Sequence, residues 1–102
     1  METIVVTRHQ ALVEYLRERG IISGDEMVIS HATRDDVHGK RVIGVLPLDL
    51  AAEAEEVVVV ALDMPPEKRG HELTVEEIEQ YTTGIYVYRV EKVGTIETKN
   101  TA

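Results

Sequence analysis

The order of apolar and polar positions divides the chain into short strands alternating with amphipathic helices. Ile4-Val5-Val6 is an apolar run that opens into Thr7-Arg8-His9. Ala11, Leu12, Tyr15 and Leu16 then recur at helical spacing as far as Gly20, a natural stop. This predicts a strand followed by a helix over about His9 to Arg19. Ile21-Ile22 pack the chain back, Ser23-Gly24-Asp25 turn it, and Glu26 to Ser30 reads as a second strand. Arg34 to Lys40 is a polar link with Val37 tucked beneath it, long enough for one helical turn. Arg41 to Leu46 reads as the third strand, and Pro47 starts a short helix to about Glu55, since a missing amide hydrogen costs nothing there. Val57 to Leu62 is apolar throughout, as in a strand buried on both faces, and Pro65-Pro66 forbid its continuation. After a polar loop, Thr74-Val75-Glu76-Glu77 has capping-box spacing and begins a helix to about Tyr81. Ile85 to Val93 alternates imperfectly and predicts a last strand, open to an antiparallel edge position. Residues 95–102 read as a disordered tail, leaving a single domain over residues 1–94.

This order of elements predicts a small Rossmann-like α/β domain, a three-layer sandwich around a mostly parallel sheet. Right-handed crossovers place the first strand centrally, between the second and third. The topological switch point then falls between Thr7-Arg8-His9 and Leu46-Pro47, with His31 and Asp63 expected to frame the same rim.

Composition narrows the chemistry. A length of 102 residues suits one domain with a modest, aliphatic core, since the chain has four Tyr, no Phe and no Trp. Without Cys there is no disulfide framework, thiolate nucleophile or Cys-based zinc site. The four His lack the paired spacing of a metal helix, so no metal and no cofactor are expected. The chain enters its first strand directly from Met1-Glu2, with no basic segment leading to an apolar signal core and no bilayer-length apolar run, so a cytoplasmic protein without membrane contact is expected. A net charge of −8 disfavours duplex DNA and long RNA, yet leaves room for a small anion held by a local basic cluster.

That cluster is expected at the first strand-to-helix junction. Strand ends, unpaired helix amides and the helix dipole converge there. Thr7, Arg8 and His9 add a hydroxyl, a fixed cationic fork and an imidazole that titrates near neutral pH. The familiar phosphate motifs are missing: no Gly-rich dinucleotide fingerprint, no Gly-Lys-Ser/Thr loop and no nucleophile elbow. Asp63 reads first as a turn residue before the prolines, and His38 and His71 as structural or solvated. Lys40-Arg41 falls at the opposite, amino-terminal end of the third strand.

Several segments together resemble one known family. These are Val6-Thr7-Arg8-His9 with Ala11 and Tyr15, then His31 and Asp36, then Val42-Ile43-Gly44-Val45-Leu46-Pro47 with Leu50-Ala51-Ala52. Leu62-Asp63-Met64-Pro65 and Arg69-Gly70-His71-Glu72-Leu73 complete the set. In this order they are similar to the sixteenth of the Csx-type CRISPR-associated families, small stand-alone proteins of type III systems. Tyr15 stands where Trp is common in that family. The resemblance implies a CARF-like fold, a homodimer and a ring nuclease, which cleaves a cyclic oligoadenylate messenger, chiefly cyclic tetra-adenylate, and so ends antiviral signalling. A symmetric cyclic ligand suits an isologous dimer.

For such a reaction Arg8 and His9 are the catalytic candidates. Thr7, His31, Leu46, Pro47, Asp63 and Arg69 are the ligand-binding ones. The alternative is a module that sequesters the cyclic nucleotide, or a regulatory partner, without turning it over.

Overall fold

The computed structural model describes residues 1–98. The chain runs β1 (Thr3–Val6), α1 (Gln10–Glu18), β2 (Met27–Ile29), α2 (Arg34–Val37), β3 (Arg41–Ile43), α3 (Leu48–Glu53), β4 (Glu56–Leu62), a 3-10 turn (Pro66–Lys68), α4 (Val75–Tyr81) and β5 (Thr82–Tyr88). The five strands form one sheet in the order β2-β1-β3-β4-β5, parallel except for β5, which runs antiparallel to β4. This is a small Rossmann-like sandwich, and β1 is flanked by β2 and β3 as the crossover rule requires. Among the described residues, no helix is long and apolar enough to cross a membrane.

Strand alternation builds the core. Ile4, Val42 and Val57 lie in register across β1, β3 and β4, and Val5, Ile43 and Val58 form the next row. Successive side chains on a strand point to opposite faces, so the two rows feed two separate clusters. The first row packs with Val37, Ala51 and Ala54 from the α2 and α3 side. The second packs with Val13, Tyr15, Leu16 and Ile78 from α1 and α4. All six strand residues are at most 4 % exposed, which is why Val57 to Leu62 reads as an unbroken apolar run.

Local chemistry sets the helix ends. At the end of α1, Gly20 takes a φ of +73°, its amide donates to Arg17 O (3.0 Å), and Ile21 N donates to Leu16 O (2.9 Å). That double bond pattern is a Schellman motif, and only glycine enters it without Cβ strain. The capping box expected at α4 is present, with Thr74 Oγ1 accepting from Glu77 N and Glu77 Oε1 accepting from Thr74 N. A second one, Thr33 with Asp36, starts the single turn of α2.

Three elements differ in extent from the sequence reading. Strand β3 stops at Ile43 rather than Leu46, because Gly44 turns the backbone to a φ of +146°. Strand β5 begins at Thr82, directly after α4, and ends at Tyr88 rather than Val93. Beyond it, Val90 folds back against the α2–α3 side of the core. Helix α3 ends at Glu53, and Pro47 sits just before it as its N-cap. Of the expected tail, residues 95–98 carry no helix or strand, and residues 99–102 lie outside the described residues.

Candidate functional site

The rim at the carboxyl ends of the parallel strands is built by three adjacent segments that leave the sheet at one level. Val6 of β1 pairs with Ile29 of β2, and Thr7 N continues that ladder by donating to Ile29 O (2.9 Å). Thr7-Arg8-His9 and Ser30-His31 therefore step off neighbouring strands side by side. On the other flank, Gly44 lies so close to β1 that a Cβ there would overlap the Val6 carbonyl oxygen. Its amide donates to Val58 O (2.9 Å), and Val45-Leu46-Pro47 then lead into α3. The switch point between β1 and β3 is thus held by a glycine that lets two backbones touch.

At the junction itself, Thr7 Oγ1 accepts from His9 N (3.1 Å), a local turn that fixes the approach to α1. His9 is the N-cap residue, and its side chain makes no cap hydrogen bond. The imidazole points outward instead, 61 % exposed, with Nδ1 at 4.0 Å from Glu72 Oε1. That contact brings the loop before α4, which also carries Arg69, over the start of α1. Arg8 is exposed and makes no ion pair among the described residues. Arg69 is likewise exposed and free of a carboxylate partner among the described residues.

The remaining candidates occupy different positions. His31 is exposed beside the junction, and Pro47 is exposed on the opposite flank. Leu46 is half-buried and packs against the α2–α3 core cluster, so it supports the rim from beneath. Asp63 stands apart. Val5, Ile43 and Val58 share a register row, so Thr7 is two residues past that row and Asp63 five. At the rise of an extended chain the difference sets Asp63 ~10 Å further out, two strands away. Its amide donates to Tyr81 O (2.9 Å), closing the tip of the β4–β5 ribbon. Asp63 thus lies just past the end of β4, exposed and away from Thr7, Arg8 and His9.

Other ionic groups hold the fold at a distance from the rim. Glu53 on α3 accepts from Arg34 Nη2 (2.9 Å) and meets His38 Nδ1 at 3.0 Å. Those two bonds, Arg34 first, hold the Glu53 carboxyl below its usual range, and the same pairing raises Arg34. No sequence pattern announces this hub, because its members are 15 and 19 residues apart. A hollow of about 580 Å³ beside it, between α3 and residues 90–94, includes Leu48, Leu50 and Val93 in its wall but none of Thr7, Arg8 or His9. The rim is an open surface. Among the described residues no three His, Asp or Glu side chains gather as a metal site.

The fold and this edge define a small α/β protein of the doubly wound kind, with an exposed rim carrying Arg8 and His9 at the switch point between β1 and β3. Residues 4–91 match the sequence model of the family described as "Putative CRISPR-associated protein (Cas_VVA1548)". The match covers most of the chain, and the protein belongs to this CRISPR-associated family. No curated protein and no solved structure matches it.

Proposed function

We propose that this protein binds a cyclic oligoadenylate at the β1–β3 rim and cleaves it as a ring nuclease, switching off type III CRISPR signalling. The observation that carries the reading is Arg8, without an ion pair among the described residues, at the carboxyl end of β1, beside α1 amides that no side chain caps. Membership of a CRISPR-associated family and the resemblance to the sixteenth Csx-type family supply the ligand class. The chemistry needs no more than these groups. A ribose 2′-hydroxyl attacks the adjacent 3′-phosphodiester, the 5′-oxygen leaves, and a 2′,3′-cyclic phosphate forms. In-line orientation supplies ~7 kcal/mol of the barrier reduction. Arg8 neutralises charge on the phosphate, Thr7 and the helix amides donate to it, and His9 moves the proton. His31, Pro47 and Arg69 border the ligand, and the active species is a homodimer.

A second reading is sequestration without turnover, and the open, shallow rim favours it. Incubation with cyclic tri-, tetra- and hexa-adenylate, with and without chelator, separates the two. Cleavage that persists in excess chelator is expected. Arg8→Ala is expected to weaken affinity and slow single-turnover cleavage, because phosphate charge exists before the reaction and grows during it. His9→Ala is expected to keep affinity within about threefold and slow cleavage ~10²-fold or more. Wild-type protein that binds but never cleaves establishes sequestration. Arg8→Ala that binds as tightly as wild type removes the ligand from this edge.

A further inference from the structure

We infer that β5 is a self-association edge, through which two copies join by antiparallel β5–β5 pairing into one continuous sheet. The inference stands on the edge strand alone and not on the chemistry of the rim. Strand β5 is the last in the sheet, so one side of its backbone is unpaired. Monomeric proteins guard such an edge with charge, proline, a bulge or a covering loop. Among the described residues none of these guards the stretch Gly84 to Tyr88. Thr82 to Tyr88 contains no charged residue and no proline, and its irregularity lies at the other end, opposite Ala61 and Leu62. Gly84 to Tyr88 run in unbroken register against Val57 to Ala61. The chain after Tyr88 turns onto the α2–α3 side, where Val90 is packed, and leaves the edge open. The other sheet edge, β2, is only three residues long.

The side chains along β5 fit a second copy of themselves. Tyr86, Val87 and Tyr88 are 46 %, 55 % and 51 % exposed, and they hold half of the chain's four aromatic rings. Gly84, Tyr86 and Tyr88 share one face by strand alternation. The Tyr86 ring fills the space a side chain at Gly84 would need, and it lies 6.4 Å from the Tyr88 ring, centroid to centroid. A two-fold axis at Val87 would set Tyr86 opposite the partner's Tyr88 and Tyr88 opposite the partner's Tyr86. Four rings then line one face, and Val87 meets the partner's Val87 on the other. Just past the strand, Arg89 would meet the partner's Ile85 rather than a like charge. For a chain of net charge −8, most surfaces repel a second copy, and this uncharged strip does not. Antiparallel pairing turns the two copies end to end, so their rims face opposite ways. Each protomer then keeps its own rim, so this pairing is separate from the homodimer proposed for the ring nuclease, and its failure would leave the reading of the rim untouched.

The strip is narrow, so a weak equilibrium is expected, with sedimentation of the full chain shifting from monomer to dimer between about 5 and 200 µM. The absence of Cys allows a direct test of register. Val87→Cys places one thiol per copy next to the axis, within disulfide reach, and mild oxidation should yield a covalent dimer. Val28→Cys on β2 should stay monomeric under the same conditions. Val87→Lys, checked for folding by circular dichroism, should sediment as a monomer throughout. A wild-type monomer at the highest concentration, equal cross-linking at Val28, or a dimer that survives Val87→Lys would each overturn the inference.

Discussion

Replacing Gly44 by alanine should cost this domain a large part of its stability, for two separable reasons. Its φ of +146° lies where residues with a Cβ rarely go, and holding one there costs about 1–3 kcal/mol. The added methyl would also overlap the Val6 carbonyl oxygen, which cannot retreat without moving β1. Forcing packed backbone apart adds about 1–3 kcal/mol. The sum, centred near ~4 kcal/mol, compares with a total stability of about 5–15 kcal/mol for a domain of ordinary size. Urea unfolding followed by far-UV circular dichroism should show a lower midpoint with an unchanged slope. Gly20→Ala is the control: it shares a positive φ of +73°, but no atom lies within 4 Å of the new methyl. That change should cost only about 1–2 kcal/mol, the backbone part alone. A Gly44→Ala protein within about 0.5 kcal/mol of wild type, a margin typical of innocuous surface changes, would show that β1 and β3 do not touch as described.

Thr74→Ala removes the hydroxyl that accepts from Glu77 N (3.1 Å) and should lower the stability of the domain by about 1 kcal/mol in the same assay, whereas an unchanged midpoint would refute the capping role. Glu26 should titrate at about 2, below its ordinary 4.5, because the amides of Ser23 and then Gly24 donate to its carboxylate. The folded value is depressed, so its contribution is complete above about 4.5 and fades as the pH falls towards about 2; a carboxyl NMR titration midpoint near 4.5 would contradict this.

What the sequence shows about this fold is what strand and helix periodicity encode. Ile4-Val5, Val42-Ile43 and Val57-Val58 are adjacent apolar pairs because each strand is covered on both faces, and the Thr74–Glu77 spacing announces a helix start. Features set by neighbouring backbone are not encoded in this way. Val42 to Leu46 looks like one strand until the proximity of Val6 shows why Gly44 must end it. Thr82-Thr83-Gly84 looks like a turn, yet it pairs with the end of β4, and the Tyr86 ring takes up the space that the glycine leaves. Similarly, four polar strand ends suggest a common rim, but β4 runs four residues past its last partner on β3, and Asp63 is carried away on that overhang. The contact of Glu72 with His9 depends on the path of a loop, for which the sequence has no periodic signal.

The placement of charge bears on how so acidic a chain would offer an anion the proposed site. Five of its Lys and Arg side chains are held by carboxylates: Arg34 by Glu53, Lys40 by Glu2, Arg41 by Glu56, Lys68 by Glu77 and Arg89 by Glu55. The Lys40, Arg41 and Arg89 pairs gather where β3 and β4 begin and β5 ends, at the amino-terminal edge of the sheet. Exposed pairs of this kind add little stability, a median of about 0–1 kcal/mol each, but they neutralise Lys40, Arg41 and Arg89 at that edge. Arg8, by contrast, has no carboxylate partner among the described residues and stands at the carboxyl-terminal edge. Physiological salt screens exposed charges beyond ~8 Å, so carboxylates further than this along the flanks oppose a ligand at the rim only weakly. A compact anion stays within that radius. A long polyanion does not, since it must run on over the acidic helices. On the proposed function, the same distribution would admit a small phosphodiester ring at this edge and turn extended nucleic acid away.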